Sequence, residues 1–268
     1  MCGLFIERKS LDWRMKKKYT MKRVLYLVLA TVLLHIFGCH HSSVESSPEA
    51  DGWLNDLDYA EVWMASQEHT YGYIGDDYQR FYICLDTIIK DKQAGSKYTT
   101  KGKWMFSSNL SFFDGIIEIE RIEKEDVDSS SAFLEEPTRY IIHSRWKVTD
   151  RDTGDAIEGK MLSYCLYEDS IPLCYDDDFN SDGHCNNQFV GEYVSANKSV
   201  NKTCCWGTYR IPNCGDLDVG ACEFIPNPRY AERGWKSYLD AVEKGTEEAW
   251  REESDFFKSI KRRDDHNL

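Results

Sequence analysis

The chain has 268 residues, with 33 Lys or Arg against 46 Asp or Glu and a formal net charge of −13. So acidic a surface repels phosphate backbones, and no basic cluster after residue 40 is interleaved with aromatics, which excludes nucleic acid as an expected partner. Aromatics make up 13% of the residues, including 8 Trp and 16 Tyr; a disordered chain of this charge carries fewer, so a packed core is expected.

The first 39 residues run against the overall charge. Lys16, Lys17, Lys18, Lys22 and Arg23 precede an apolar run from Val24 to Phe37 that closes with Gly38-Cys39. This order of positive, apolar and small residues is that of a secretory signal. The run falls short of the roughly 20 apolar residues of a spanning helix and contains His35, so residues 1–38 read as a cleaved signal peptide. Residues 1–14 add nothing to an export signal, and Met15 or Met21 would each begin a normal one, so an upstream start codon has been assigned in error on this reading.

Ile36-Phe37-Gly38-Cys39 resembles the lipobox of bacterial lipoproteins, in which the cysteine is acylated and becomes the new N-terminus. The resemblance implies that Cys39 carries the lipid, palmitate included, and two acyl chains on one residue suffice for stable anchoring. Residues 39–52 then form a polar lipidated tether, and residues 53–268 a single β-rich domain ending in a helix.

Trp53, Leu54, Leu57, Ala60 and Met64 stand near helical spacing, which predicts a short N-terminal helix over Trp53–Ser66. From Tyr71 onward, runs of aromatic and β-branched residues predict strands near Tyr78–Ile89, Tyr98–Phe106, Phe113–Ile122, Tyr140–Thr149, Ile157–Tyr167, Phe189–Ser195 and Cys204–Ile211, with a weaker one at Val219–Ile225. Breakers such as Gln93-Ala94-Gly95-Ser96 and Asp152-Thr153-Gly154-Asp155 separate them. With no helical segment between strands, a βαβ plan is excluded, and the expected fold is mainly β, an antiparallel barrel or sandwich of about eight strands. Behind Pro226 and Pro228 the period becomes helical from Tyr230 to Ile260, with Trp235, Tyr238, Leu239 and Val242 on one face, which predicts a C-terminal helix. Lys101-Gly102-Lys103-Trp104 and Glu158-Gly159-Lys160-Met161 look alike, but a four-residue echo is not a repeat.

Past Cys39 stand Cys84, Cys165, Cys174, Cys185, Cys204, Cys205, Cys214 and Cys222. An even number in an exported chain predicts disulfides, at least two of them within 165–222. No C-x-x-C is present to suggest a zinc or redox pair.

Asp178-Phe179-Asn180-Ser181-Asp182-Gly183 puts oxygen side chains at alternate positions before a turn-forming Gly and resembles the opening of calcium loops, making Asp178, Asn180 and Asp182 candidate ligands of calcium, the one cofactor considered. Phe189 occupies the position of the closing bidentate Glu, so Asp176 and Asp177 would have to supply the missing oxygens and the affinity would be weak, about 10⁻⁴–10⁻³ M. A second acidic stretch, Gly215-Asp216-Leu217-Asp218-Val219-Gly220, reads as a turn entering a strand. G-x-S-x-G, H-E-x-x-H and the P-loop are absent from the sequence, and neither His143 nor His184 has a local activating partner, so no catalytic residue is assigned.

Cys185 to Tyr193, Cys205 to Asn213, Gly215 to Ala221 and Tyr71 to Phe81 are similar to uncharacterised envelope lipoproteins of Bacteroidales. The resemblance implies a cell-envelope location, at the outer membrane with either face open, and no activity. Phe189-x-Gly191-x-Tyr193 also resembles the first-strand motif of small β-barrels that hold lipophilic ligands, which bears on strand geometry alone. The expected function is therefore a membrane-anchored, non-catalytic binding module of unknown ligand or protein partner. Two alternatives are a carboxylate-dependent envelope hydrolase acting on glycans and a toxin-neutralising or structural lipoprotein. An aromatic-lined cavity with few carboxylates favours binding, whereas two facing carboxylates in a cleft favour hydrolysis.

Overall fold

Nine strands follow one another in the computed structural model, which describes residues 54, 56–125, 137–168, 171–177 and 183–263. They are β1 (Thr70–Ile74), β2 (Gln79–Lys90), β3 (Lys97–Phe106), β4 (Asn109–Lys124), β5 (Thr138–Asp150), β6 (Ala156–Glu168), β7 (Ile171–Tyr175), β8 (Asn186–Val194) and β9 (Asn201–Thr208). All belong to the compact unit Ala50–Leu268. The sheet order is β5-β4-β3-β2-β1-β9-β8-β6-β7, and β6 also pairs with β5 from Thr138↔Tyr167 to Thr149↔Ala156. That last ladder closes eight antiparallel strands into a barrel and rules out a sandwich. β7 stays outside the ring, pairing with β6 at Cys165↔Tyr175 and Leu166↔Cys174, beyond the stretch of β6 that β8 occupies.

A closed barrel needs its strands coiled, and three ladders carry register shifts, at Leu85/Thr87, Ile119/Arg121 and Asn186/Phe189. Facing glycines supply a further bend. Gly159 pairs with Gly191, and a Cβ on Gly191 would lie 2.3 Å from the Glu158 carbonyl oxygen and 2.6 Å from Cζ of Phe189. The Phe189 ring lies over both glycines and stacks on Trp206 at 3.6 Å. Gly102 is roofed in the same way by Phe113, so the sequence echo around Gly102 and Gly159 marks a shared device: a strand glycine under a cross-strand ring.

Alternate residues fill the interior: Phe81, Ile83 and Leu85 of β2, Ile142, Trp146 and Val148 of β5, Ile157, Met161 and Cys165 of β6, and Cys204 and Trp206 of β9. Trp63 joins this core from α1 (Ala60–Met64), edge-on to Tyr98 at 4.9 Å and to Trp146 at 5.8 Å. Among the described residues, the α-helical part of the predicted N-terminal helix is Ala60–Met64, followed by a 3-10 turn at Gln67–His69. Gln67 explains the stop. Its amide accepts from Leu85 N at 2.7 Å and donates to Leu85 O at 3.2 Å, taking the place of a strand partner beside the β2 bulge.

The outer face has two characters. From β3 to β6 it carries charged pairs, Lys97–Glu118, Arg145–Glu120–Lys160 and Lys147–Glu158. Charge outside and hydrocarbon inside is the reverse of a lipid-spanning barrel. Among the described residues, no helix is long and apolar enough to cross a membrane. The outward side chains Tyr71, Tyr73, Cys84, Met105 and Cys205 are instead covered by the C-terminal segment. In place of one helix, that segment forms a 3-10 helix at Pro228–Arg233, α2 (Lys236–Val242) and α3 (Thr246–Lys261). Gly234 (φ 89) and Gly245 (φ 130) sit at the breaks, in backbone conformations that other residues rarely adopt.

The weak strand at Val219–Ile225 is not formed; an isolated bridge joins Asp218 to Pro226. The Asp218 carboxylate accepts from Gly220 N at 2.9 Å and Ile225 N at 3.2 Å, so the backbone groups a strand partner would use are satisfied locally. The acidic stretch around it is a turn, as its glycines suggest, but it leads into a loop.

Candidate functional site

Side chains pack the barrel interior. A void inside it, between Trp63, Gln67, Met161 and Trp206, measures about 20 Å³, room for about one water. A larger recess of about 130 Å³ lies outside the barrel wall, where Tyr71 of β1, Tyr209, His184, Cys222, Glu223, Phe224 and Trp250 of α3 converge.

Each wall has a local cause. Tyr209 follows β9 directly and takes a positive φ of 64, which turns the chain off the sheet while its N–H bonds His69 O at 2.9 Å. Its ring stacks on His69 (5.4 Å, 19°) and meets His184 at 5.7 Å, and its hydroxyl donates to Asp177 at 2.8 Å. Phe224 packs against Tyr71 at 4.6 Å. Trp250 stands edge-on to His69 at 6.4 Å and remains 38% exposed. Nδ1 of His69 and Nε2 of His184 are buried and have no hydrogen-bond partner among the described residues. Burial lowers the His69 pKa, which favours the neutral ring.

Beneath the recess, Tyr71 donates to Glu253 Oε2 at 2.7 Å, with the Tyr238 hydroxyl 3.1 Å from that of Tyr71. Glu253 is buried, and loss of hydration pushes its carboxyl well above the usual carboxylate range. Next to it, Arg80 crosses from β2 to form a two-pronged pair with Glu252, both contacts 3.1 Å, and Ser237 donates to the same carboxylate at 2.6 Å. The guanidinium lies 4.6 Å from the centre of the Tyr82 ring and 5.1 Å from that of Trp235. These contacts fasten α3 to the barrel. They fix where Trp250 stands, one helical turn from Glu253.

Cys39, Asp178, Asn180 and Asp182 lie outside the described residues. The acids expected to complete a calcium shell have other partners: Asp176 pairs with Arg139 at 2.6 Å, and Asp177 accepts from Tyr209. Phe189, at the position of the missing Glu, is fully buried in the core. No group of three His, Cys, Asp or Glu among the described residues is placed to hold a metal. His143 lies on the barrel wall beside Glu123, 3.2 Å away.

The expected disulfides are not formed, and Cys84, Cys165, Cys174, Cys185, Cys204, Cys205, Cys214 and Cys222 are free thiols. Strand geometry separates several of them. Cys204 points into the barrel, whereas its neighbour Cys205 points out beneath the C-terminal segment, and Cys84 lies under α3. Burial pushes the Cys84 thiol up to about 11 and the Cys165 thiol up to about 12, so neither is a ready nucleophile.

The recess itself was missed in the sequence because its walls come from five separate segments. Tyr209, at the end of a strand and before Arg210-Ile211-Pro212, offered the nearest signal. No family model, curated protein or solved structure matches this chain.

Proposed function

We propose that this chain is a lipid-anchored protein of the cell envelope whose barrel serves as a non-catalytic binding module, with its ligand in the recess between β1, the end of β9 and α3. The observation that carries the reading is the lining among the described residues: four aromatic side chains, Tyr71, Tyr209, Phe224 and Trp250, with one carboxylate, Glu223. Hydrolysis of a glycan would instead call for two carboxyl groups facing across the site. At about 130 Å³ the space is close to the cavity of about 150 Å³ known to take benzene, so it suits one ring or a similarly compact group. The charged ladders on β4, β5 and β6 suit a domain held in water at the end of a tether, and Cys39 supplies the anchor in this reading.

Two measurements test it. Indole resonances of the labelled protein are followed while a library of benzene-sized aromatic, ammonium and neutral apolar compounds is added. A shift at Trp250 with at least one compound, lost in Trp250→Ala, is expected; none with any compound removes the recess as a binding site. For the anchor, labelled palmitate should mark the wild type and not Cys39→Ala, and equal labelling of both would reject Cys39 as the lipid site.

A further inference from the structure

We infer that the recess selects a small organic cation, an ammonium group held against aromatic faces; this rests on the binding-module reading and narrows its ligand. Three features of the site argue for a positive ligand. Its walls present Tyr71, Tyr209, Phe224 and Trp250, and aromatic faces attract cations through the ring quadrupole, most strongly where the ring is Trp or Tyr. The Tyr209 hydroxyl donates to Asp177, which places a carboxylate at the hydroxyl end of that ring, and Glu223 lies in the lining itself. Among the described residues, no Lys or Arg lines the space to repel a cation or recruit an anion, and the nearby Arg80 is paired with Glu252 and covered by Tyr82 and Trp235.

The surroundings agree. His184 contributes to a site that it also lines a buried ring nitrogen with no hydrogen-bond partner among the described residues, and His69, stacked behind Tyr209, is held toward its neutral form by burial. The acidic balance of the chain would draw cations toward the surface and raise their local concentration. The volume of about 130 Å³ accommodates a methylated ammonium head and little more, so a longer ligand would leave the rest of its length in solvent past Trp250.

The test compares choline with its uncharged isostere, 3,3-dimethylbutan-1-ol, titrated into the intact mature protein at low ionic strength and read by calorimetry and by the Trp250 indole resonance. Choline should bind at least about tenfold more tightly than the isostere. Glu223→Gln, an exposed change that leaves the shape of the site intact, should weaken choline several-fold and leave the isostere unaffected. Trp250→Ala should weaken choline by about tenfold. Equal affinity for the two compounds would overturn the cation assignment while leaving a binding site for apolar groups. Choline binding that is indifferent to both substitutions, or no choline binding at all, would overturn it as well. The broader reading fails separately, when no compound of any class moves Trp250.

Discussion

Tyr71 and Glu253, 182 residues apart, share a 2.7 Å hydrogen bond that joins the first strand of the barrel to its last helix. The carboxyl is buried by Tyr71, Tyr238 and the face of α3, and its proton is bound more tightly in the folded protein than in the unfolded chain. The folded state must therefore hold a proton that the unfolded state releases once the pH passes the ordinary carboxyl value of 4.5. Stability from this group is complete below that value and declines as the pH rises toward the elevated folded value. Glu253→Gln keeps an acceptor for Tyr71 without the proton requirement. Thermal unfolding of the variant should match wild type near pH 4 and exceed it at pH 8, by about 2–4 °C for each kcal/mol recovered. Equal melting temperatures at pH 8 would show that Glu253 is not held neutral.

Arg80 is the fastener of the C-terminal segment, fully buried and matched to Glu252. Removing one partner of such a pair strands the other, at a cost of about 3–5 kcal/mol. Arg80→Ala should show this loss in denaturant titration, and Arg80→Ala with Glu252→Gln should recover part of it. Additive losses in the double variant would mean that the two side chains act independently.

Gly191→Ala tests the bend under Phe189. Its Cβ would meet the Glu158 carbonyl oxygen at 2.3 Å, and because that contact is with backbone, no rotamer relieves it. A loss of about 1–3 kcal/mol in equilibrium unfolding is expected, with no loss if the strands can part without cost.

Free thiols can be counted. Alkylation of the unreduced protein under denaturing conditions should modify Cys84, Cys165, Cys174, Cys185, Cys204, Cys205, Cys214 and Cys222. A mass showing any pair protected until reductant is added would contradict the arrangement. Under native conditions the exposed Cys222 should react first, ahead of the buried Cys204.

Most of the barrel was legible because its long strands advertise themselves. Along β5 and β6 and the first half of β3, buried and more exposed residues trade places as a wall with one inner and one outer face demands, whereas β9 is buried continuously from Cys204 to Thr208. β1 escaped because four of its five residues, Tyr71, Gly72, Tyr73 and Ile74, are buried, so alternation vanishes where the C-terminal segment covers the outer face. The same segment read as one helix because its apolar spacing persists across Gly234 and Gly245, where backbone conformation, not hydrophobicity, sets the break. Cysteine parity misled for a different reason. A core rich in aromatics uses thiols as small apolar fillers, and their number then says nothing about pairing. The recess was illegible since residues 71, 209, 224 and 250 meet only after the barrel has closed and α3 has docked.

The seam between β1 and β9 has a consequence for the order of assembly. β2 through β6 are joined as successive hairpins, so each can pair with its neighbour soon after synthesis. β1 must wait for residues 201–208, more than a hundred positions later, before its free edge is met by Thr70↔Thr208 to Ile74↔Cys204. Such distant pairing is slow, and an unpaired edge of five mostly buried residues is an invitation to other chains while it waits. The C-terminal segment then packs across that seam, Phe224 and Tyr238 against Tyr71, so a chain interrupted before residue 224 would keep the β1–β9 ladder but lose the aromatic cover over its outer face.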